Sequence, residues 1–437
     1  MLTPVMVMMV SASVTTFGGD EGLSQAARAA QGWKELSGAD ATQVWRGYKR
    51  EAFPEKGWVV ENGEIRHAAG GGGGDIVTRA EYTDFELEFD FKTGPKANSG
   101  VMYRVAEKGA EGQATDEPYM TGPEYQILED ASNGEKPEGV HSAGALYDID
   151  GPPADKKLNP VNEWNHGRIY FRNGVVQHWL NGQKLVEQRM FDDDGKVDAA
   201  WAEKIAKSKF KDWKGFGIQT TGHIDLQEHP GDVAYRNVRV RDLAGQRPGE
   251  VMLFNGKDLT GWTAFTPKDK ATQTPVWTVK DGILYCTGTP TGYLRTDKKY
   301  TNYVLRAEWR FNPVTKKPGN SGIMLRMGEP DQVWPKTIEA QIWSGNAGDF
   351  WLMNGFEMTT DPALAKGRNR KKTHMAEREV GEWNQYEIVV DHGNVTLFVN
   401  GEEVNHGTKA EEIPGYIGLQ SEGAEIQFRN IGLVELK

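Results

Sequence analysis

The chain is poor in cysteine and has no excess of positive charge. Among its 437 residues there is a single cysteine, Cys286, so no disulfide can form within the chain. A cysteine on an apolar strand is usually a small buried hydrophobe. The formal net charge is −11, and a nucleic-acid partner requires a basic surface. We therefore expect neither a disulfide scaffold nor a nucleic-acid-binding protein.

Long apolar runs are also missing. No segment approaches the roughly 18 apolar residues that a membrane helix requires, so we expect no membrane span. Residues 1–10 form a short apolar run followed by Ser11-Ala12-Ser13, which resembles the core and cleavage site of an export signal without its basic leader. We expect an export signal and a disordered N-terminus over residues 1–30. This favours a periplasmic or secreted protein and leaves a cytoplasmic location open.

Signatures of common cofactor sites are absent as well. The sequence contains no phosphate-binding loop, dinucleotide fingerprint or nucleophile elbow. The spacing of His223 and His229 is not a zinc pattern. The run Asp192-Asp-Asp-Gly195 lacks the closing ligands of a calcium loop. We therefore expect no metal and no cofactor.

What the chain does contain is an internal repeat, which decides the domain organisation. Segments of the first half recur in the same order in the second half. The matching pairs are Leu36–Trp45 with Leu253–Trp262, Ala97–Arg104 with Gly319–Arg326, Glu124–Ile127 with Glu339–Ile342, Glu163–Asn165 with Glu382–Asn384, Trp179–Gly182 with Phe398–Gly401, Gly222–Gln227 with Gly415–Gln420, and Tyr235–Val238 with Phe428–Ile431. We predict one domain over 31–243, a linker over 244–250 and a second domain over 251–437, called copy one and copy two below.

Copy one carries an insertion that copy two lacks. The offset between the copies is 219 residues at Asn181 and Asn400 but 193 at Gln227 and Gln420, so copy one has 26 additional residues between these points. Within them, residues 197–209 place Trp201 and Ile205 four positions apart, which predicts a helix. An insertion here precedes Gly222 and is placed to roof a groove.

Within each copy the patterns indicate strands. Phe85–Phe91 and Tyr303–Phe311 alternate apolar and polar residues with period two. Asn-Gly pairs such as Asn173-Gly174 and Asn181-Gly182 favour hairpin turns. Many short strands at this spacing predict an all-β chain of two tandem antiparallel sandwiches.

These motifs together resemble one known family. The chain contains Leu253-Phe-Asn-Gly-Lys-Asp-Leu-Thr-Gly-Trp262, the Asn-Ser-Gly strands ending in Arg, the Glu-x-Gln strands, and Gly-His-Ile-x-Leu-Gln-x-His followed by Arg-Asn. Together these motifs are similar to the 3-keto-disaccharide hydrolase family, and the last His of the fourth motif is His229. The resemblance covers residues 33–436 in two copies. It implies a concanavalin A-like jelly-roll fold and action on glycosides whose sugar is oxidised to a ketone at carbon 3. Copy one departs from the family pattern at residues 37–44.

A polar pair on one strand suggests the floor of a groove. Strand alternation puts Glu124 and Gln126 on one face and Tyr125 and Ile127 on the other. Two hydrogen-bonded structural side chains would give the same pattern. A retaining glycosidase would need two carboxylates close together on such a strand. However, Glu129 points to the opposite face from Glu124, and copy two has serine at the matching position, so direct hydrolysis by paired carboxylates is disfavoured.

The histidines differ between the copies, which points to different chemistry. His223 and His229 correspond to Tyr416 and Glu422, and His178 corresponds to a leucine, which favours packing for His178. A free imidazole suits proton transfer near neutral pH. We predict His229, Glu124 and His141 as catalytic residues and leave open which histidine is base or acid. A solvated loop histidine is the plainer alternative for His229.

Further polar and aromatic residues are predicted to bind sugar. Arg104 and Arg326 suit sugar oxygens, and an ion pair with Glu124 or Glu339 is the alternative. The predicted binding residues are Arg104, Gln126, Tyr147, His223, Gln227 and Glu228 in copy one, and Arg326, Glu339, Gln341, Asp349, Trp351, Gln420 and Glu422 in copy two.

The resemblance implies hydrolysis by elimination and hydration. A ketone at carbon 3 acidifies the proton on carbon 2, so a base, an acid and donors near the ketone oxygen suffice. The substrate would be a small glycoside or oligosaccharide supplied by a sugar 3-dehydrogenase. A non-catalytic carbohydrate-binding protein is the competing hypothesis. We further expect copy one to perform the chemistry and copy two to bind sugar, with activity in both copies as the alternative.

Overall fold

The structure is a computed structural model that describes residues 23–437 except 68–69, 110–111, 113–114, 230 and 268–274. The segment interpreted as an export signal lies mostly outside the described residues. Helices are short: α1 (Gln25–Ala30), α2 (Ala41–Val44), α3 (Asp130–Asn133) and α4 (Ala199–Lys207), with 3-10 turns at Pro118–Met120 and Pro362–Leu364. No helix among the described residues is long and apolar enough to cross a membrane.

Copy one is built from two antiparallel sheets. Its strands are β1 (Lys34–Glu35), β2 (Trp45–Gly47), β3 (Trp58–Glu61), β4 (Glu64–His67), β5 (Ile76–Thr78), β6 (Phe85–Thr93), β7 (Asn98–Val105), β8 (Glu124–Leu128), β9 (Asn165–Arg172), β10 (Val175–Leu180), β11 (Gln183–Arg189), β12 (His223–Leu226) and β13 (Val233–Asp242). One sheet has the order β11-β10-β9-β6-β13-β4-β3 with β1 beside β13, and the other has the order β2-β5-β12-β7-β8. We call the first the interface sheet and the second the cleft sheet.

Copy two repeats this arrangement with a wider cleft sheet. Its strands are β14 (Val251–Met252), β15 (Trp262–Phe265), β16 (Trp277–Lys280), β17 (Ile283–Cys286), β18 (Gly292–Thr296), β19 (Tyr303–Phe311), β20 (Gly322–Met327), β21 (Thr337–Gln341), β22 (Phe350–Met353), β23 (Ala365–Lys366), β24 (Asn369–Arg370), β25 (Asn384–Asp391), β26 (Asn394–Val399), β27 (Glu402–Gly407), β28 (Tyr416–Ser421) and β29 (Ile426–Glu435). The interface sheet runs β16-β17-β29-β19-β25-β26-β27 with β14 beside β29. The cleft sheet runs β15-β18-β28-β20-β21-β22-β24-β23.

Each copy has its own apolar core between its two sheets. In copy one, Phe85, Leu87 and Phe89 of β6 face Tyr125 and Ile127 of β8 within one cluster of buried residues. A separate cluster fills copy two and includes Cys286, the one free cysteine. The all-β prediction of two tandem antiparallel sandwiches is confirmed.

The two interface sheets pack against each other through charged side chains. Glu86 and Glu88 alternate with the core residues of β6, yet both are buried. Arg241 bridges Glu86 of its own copy and Glu387 of copy two, at 2.7 Å from an oxygen of each. Glu308 of copy two accepts hydrogen bonds from Arg172 of copy one and Arg429 of copy two. Buried ion pairs of this kind specify one arrangement of the two sheets more than they add net stability.

The connection between the copies is anchored in this interface. Arg247 and Glu250 of the predicted linker are buried. Arg247 donates a hydrogen bond to Glu387, and Arg306 donates to both oxygens of Glu250. The segment is therefore docked on the interface sheet of copy two.

The N-terminal helix corrects one prediction. Disorder was expected up to residue 30, but Gln25–Ala30 form α1, which Ser24 caps by accepting a hydrogen bond from the Ala27 N–H. Ala27 and Ala30 pack against Val304 and Val389 of copy two. Small side chains allow this close approach, and the apolar contact gives the short helix its stability.

The insertion of copy one contains the expected helix, Ala199–Lys207, which is followed by a turn. Asp198 caps α4 by accepting hydrogen bonds from the N–H groups of Ala200 and Trp201. The Trp201 side chain is fully buried, and its indole N–H donates to the carbonyl of Gly217 at 2.8 Å. This anchor fixes the turn that follows α4, which we call the lid (residues 208–216).

Candidate active site

Two rows of side chains cross the exposed face of the copy one cleft sheet. Strand register places Glu124 of β8 opposite Met102 of β7, and Met102 opposite Asp225 of β12. The neighbouring row contains Gln126 opposite Gly100. Residues directly opposite one another across strands lie on the same face. The alternation predicted for Glu124 and Gln126 therefore holds, since Tyr125 and Ile127 point into the core.

A cavity of about 450 Å³ lies over these rows. The residues that line it are Asn98, Tyr119, Glu124, Gln126, Tyr147, Lys209, Phe210, Trp213, Gln227 and His229. Predicted catalytic residues and predicted sugar ligands from three separate segments thus meet in one pocket. This volume is within the range of small-molecule sites.

The lid supplies one wall of the cavity. Phe210 stacks on Phe216 with ring centroids 3.8 Å apart, and Trp213 lies 5.3 Å from both Phe210 and Tyr119. Lys209 holds its ammonium group 4.0 Å from the ring centroid of Tyr147. Because copy two lacks the insertion, it has no counterpart of the lid. A different cation, Arg368, lies near its Glu339 and opposes the rise that burial causes in the pKa of that carboxyl group.

Glycine 100 makes room for the carboxylate of Glu124. A Cβ atom at Gly100 would overlap Glu124, and Gly322 stands in the same relation to Glu339 in copy two. The Asn-Ser-Gly motif is therefore explained residue by residue: Asn98 accepts a hydrogen bond from Gln126 at 3.2 Å, and Ser99 donates to the carbonyl of Gln227 at 2.7 Å.

The environment of Glu124 favours its protonated form. Burial raises the pKa of Glu124 to about 8, with Lys209 lowering and Asp75 raising it to smaller extents. Removing a carboxyl group from water disfavours the charged form. At neutral pH this side chain is a carboxylic acid inside the cavity.

The environment of His229 favours its neutral form. Burial, followed by the charge of His67, lowers the pKa of His229 below its usual value. The imidazole is therefore a free base near neutral pH. The pKa of Glu124 is raised and that of His229 is lowered, so one group is available as an acid and the other as a base at the same pH.

Asp225 is a buried carboxyl group that is not among the residues predicted from the sequence. It is fully buried, and neither of its oxygens has a hydrogen-bond partner within the described part of the chain. Burial, with the charges of Asp75 and Glu124, raises the pKa of Asp225 well above its usual value. Its alternation with His223 and Gln227 was the available signal, and copy two has Gly418 in its place.

Other lining residues missed from sequence come mainly from the lid. Lys209, Phe210 and Trp213 lie in the insertion. No sequence pattern predicts that the insertion ends next to Tyr147. Asn98 belongs to the Asn-Ser-Gly motif. Its hydrogen bond with Gln126, however, can be recognised only once the pairing of β7 with β8 is known.

Arg104 and Arg326 do not line the clefts, so their predicted sugar contact is wrong. Both have positive φ, 53° and 48°, at irregularities in the strand ladders that turn their side chains away. Arg104 donates to the carbonyl of Thr83 at 3.1 Å and lies 3.6 Å over the ring of Phe171. Arg326 is fully buried and donates to backbone carbonyls, including that of Glu411 at 2.6 Å. The alternative of ion pairs with Glu124 and Glu339 is not realised either.

Three further predictions for copy one fail on geometry. His223 lies 3.3 Å from both Arg46 and the carbonyl of Ala80, away from the lining of the cavity. Glu228 accepts hydrogen bonds from the N–H groups of 72–74, which fixes that glycine-rich loop. His141 pairs with Asp148 at 3.0 Å and lies behind Tyr147, with ring centroids 5.0 Å apart. His141 thus supports a wall residue without lining the cavity itself.

The copy two cleft presents a different set of groups. Glu339 faces the cleft beside Gly322, and burial, with the charge of Glu422, raises its pKa to about 8. Glu422 accepts a hydrogen bond from Asn320 at 2.8 Å. Gln341 uses its oxygen to bind the N–H groups of Ile342 and Trp343. Its predicted role as a sugar ligand is thereby limited to its amide nitrogen.

Asp349 is not available to a sugar, contrary to prediction. It is fully buried and accepts hydrogen bonds from the N–H of Lys372 at 3.0 Å and from Asn369 at 3.1 Å. Trp351, by contrast, lies opposite Glu339 on the cleft face. Among the residues that the structure describes, no group of three or more histidine, cysteine, aspartate or glutamate side chains is arranged to hold a metal ion.

Comparison with known proteins places both copies in one family. The 3-keto-alpha-glucoside-1,2-lyase-like domain matches residues 32–241 and again residues 249–434. The chain belongs to this family. The resemblance inferred from its motifs is confirmed, and a carbohydrate is the substrate class that the family implies.

Individual relatives each cover about half of this chain. A 3-keto-disaccharide hydrolase of Bacteroides thetaiotaomicron is 30% identical over 223 residues, which cover 46% of this chain and 74% of that protein. A crystal structure from Parabacteroides distasonis, described as a candidate glycosyl hydrolase, is 31% identical with a TM-score of 0.43. It covers 51% of this chain and 98% of its own. A second such protein from the same organism is 26% identical with a TM-score of 0.35, covering 48% and 99% respectively.

Proposed function

We propose that copy one of this family member cleaves 3-keto glycosides by elimination followed by hydration. The observation that carries the proposal is the pocket in which a neutral imidazole, His229, and a protonated carboxyl group, Glu124, face the same cavity. The Lys209 ammonium group lines that cavity too. A base, an acid and a cation are the groups that this reaction requires.

In the elimination step, His229 takes the proton from carbon 2 of the 3-keto sugar. The electron pair left behind is delocalised onto the ketone oxygen as an enolate, which the Lys209 ammonium group stabilises. The bond between carbon 1 and the aglycone oxygen then breaks, and a double bond forms between carbons 1 and 2. Glu124 donates its proton to the departing oxygen.

In the hydration step, water adds to carbon 1 of the unsaturated ketone. The Glu124 carboxylate accepts a proton from the water, and the imidazolium of His229 returns a proton to carbon 2. Both groups regain their starting protonation states, and the sum is hydrolysis of the glycosidic bond. Gln126 and Gln227, on the cavity floor, hold hydroxyl groups of the ring.

A non-catalytic sugar-binding role for copy one is less well supported. Binding alone needs no pair of groups whose pKa values are displaced in opposite directions within one cavity. The paired carboxylates of a retaining glycosidase are also missing, because Glu129 is used to cap α3 by accepting a hydrogen bond from Ser132. The substrate would come from an enzyme that oxidises the hydroxyl group on carbon 3, a sugar 3-dehydrogenase.

The test compares matched glucosides with and without the ketone at carbon 3 and follows the release of free sugar and aglycone. We expect only the keto form to be cleaved. His229→Ala and Glu124→Gln should each lower kcat by about 10²–10⁴-fold, and Lys209→Met by about 10²–10³-fold.

Lys211→Met is the matched control, because Lys211 is an exposed lysine of the same lid outside the cavity lining, and it should leave kcat unchanged. Equal cleavage of the plain glucoside, or full activity of His229→Ala and Glu124→Gln, would contradict the proposed mechanism.

A further inference from the structure

The copy two cleft contains buried polar atoms without hydrogen-bond partners among the described residues. Both polar atoms of the Gln420 amide are in this state, although the side chain is only 2% exposed. The same holds for one oxygen each of Glu339, Asn320 and Asn369 and for the indole N–H of Trp351. Buried polar groups in proteins are normally paired, so such a concentration points to a ligand.

These side chains share one face of the cleft sheet. Register pairs Glu339 with Trp351, and Trp351 with Asn369. Gly418 lies opposite Met324, which lies opposite Glu339, so Gln420, two positions after Gly418, faces the same way. Asn320 is close enough to this face to hold Glu422 at 2.8 Å. The unpaired atoms thus belong to one surface.

The chemistry of these atoms matches hydroxyl groups. The amide oxygens of Asn320, Asn369 and Gln420 are acceptors, whereas the Gln420 nitrogen and the Trp351 indole are donors. A hydroxyl group satisfies both kinds at once. A ketone only accepts, so it would leave the amide oxygens of this acceptor-rich surface unpaired. An anionic ligand offers acceptors but no donors, so it would leave the amide oxygens of this surface unpaired.

The shape of the cleft suits an extended ligand. The copy two cleft sheet continues beyond β21 with β22, β24 and β23, while that of copy one ends at β8. Copy two also lacks the lid. Trp343 follows β21 at the end of this floor and is 48% exposed. A half-exposed indole offers a flat apolar face to a sugar ring while its N–H stays in water.

We propose that the copy two cleft is a separate binding site for a neutral, unoxidised carbohydrate chain. Gln420, Asn320 and Trp351 hold its hydroxyl groups, and Trp343 stacks on one of its rings. The ligand is bound and not cleaved. This inference stands apart from the reaction proposed for copy one, since it assigns a different ligand to a different site.

The experiment uses the full chain carrying Glu124→Gln, which silences the proposed chemistry of copy one. Titration calorimetry with cellohexaose, maltohexaose and xylohexaose should show saturable binding of at least one of them. Trp343→Ala and Gln420→Ala should each weaken that binding about tenfold or more. Because Trp343 is half exposed, its variant tests the site even if Gln420→Ala is unstable.

Trp213→Ala, an aromatic change in the copy one lid, is the matched control and should leave binding intact. Conversely, Trp343→Ala in the otherwise unmodified chain should leave cleavage of the 3-keto glucoside unchanged. Absence of binding by all three oligosaccharides, or its loss with Trp213→Ala alone, would overturn the inference without touching the proposed reaction. Release of shorter sugars from the bound chain would show a second catalytic site instead.

Discussion

Burial of Glu124 and His229 sets the pH range in which copy one can work. Elimination requires neutral His229, whose pKa lies below its usual value near 6.5, and protonated Glu124, whose pKa is about 8. Activity should therefore fall as pH drops through the pKa of His229 and as pH rises through that of Glu124. We expect a bell-shaped profile of kcat/KM whose alkaline limb lies near pH 8, measured with a 3-keto glucoside.

The variant Lys209→Met separates the two limbs. Lys209 lowers the pKa of Glu124, so its loss should move the alkaline limb to higher pH and leave the acid limb in place. An alkaline limb that stays fixed in Lys209→Met would argue that Glu124 is not the group that titrates there.

A second prediction at the residue scale uses the repeat as its own control. Gly100→Ala places a methyl group where the Glu124 carboxylate lies, and Gly322→Ala does the same to Glu339. The Glu124 side chain must move, so we expect Gly100→Ala to lower kcat about 10²-fold, approaching the effect of Glu124→Gln. Gly322→Ala should leave kcat unchanged. Equal effects of both variants would show that copy two contributes to turnover.

Single residues also mark where sequence patterns stop being informative. Period-two alternation placed Glu124 and Gln126 correctly because β8 is regular. It failed for Arg104, where a ladder irregularity with φ of 53° redirects the side chain. Such a bulge depends on how neighbouring strands pair, which is not a local property of the sequence. The role of Glu228 was hidden for the same reason, since its partners 72–74 are distant in the chain.

At the scale of elements, the lid depends on one buried tryptophan. Trp201 of α4 is fully buried, and its ring lies 6.5 Å from that of Phe216, on which Phe210 stacks. Trp201→Ala should lower the free energy of unfolding by about 3–5 kcal/mol. Because Lys209 and Phe210 lose their support, kcat/KM for the 3-keto glucoside should fall at least about tenfold.

Lys207→Ala, an exposed change on the same helix, provides the comparison and should alter stability by no more than about 0.5 kcal/mol. A destabilised Trp201→Ala protein with unchanged kcat/KM at permissive temperature would show that the lid has no part in catalysis.

Helices, strands and turns are the features of this fold that the sequence predicts best. Hairpin turns, alternating strands and the helix of the insertion all follow from local periodicity and capping residues. The face of β6 that carries Glu86 and Glu88 has a pattern typical of an exposed surface, yet copy two covers it. Charge alone does not distinguish solvent from a partner of complementary charge, so the interface was not foreseeable from the pattern.

For the whole molecule, the buried carboxylates of the interface make stability sensitive to acid. Burial alone would raise the pKa of Glu387, but the charges of Arg241 and Arg247 lower it to about 2; Arg172 and Arg429 do the same for Glu308. Since the folded-state pKa is depressed, these groups stabilise the fold above their unfolded pKa near 4.3. We expect this stabilisation to be lost as pH falls from about 4.5 towards 2.

Denaturant unfolding of Glu387→Gln at neutral pH tests the interface directly. The change leaves two guanidinium groups buried without full compensation, and we expect a loss of about 3–5 kcal/mol. Glu435→Gln removes the partner of Lys298 in an exposed pair and should cost less than about 1 kcal/mol. A loss for Glu387→Gln as small as that for Glu435→Gln would mean that the two copies are not held together by this network.

The back-to-back contact of the interface sheets turns the two clefts towards opposite sides of the molecule. A chain seated in copy two cannot reach the copy one pocket without bending around the protein, so the two ligands arrive independently. On a surface rich in glycans, copy two would act as a binding domain that tethers the protein. The catalytic pocket would then open towards the surrounding fluid, from which small oxidised glycosides diffuse in. The fold would thus orient the tethered protein so that the copy one pocket faces away from the glycan surface.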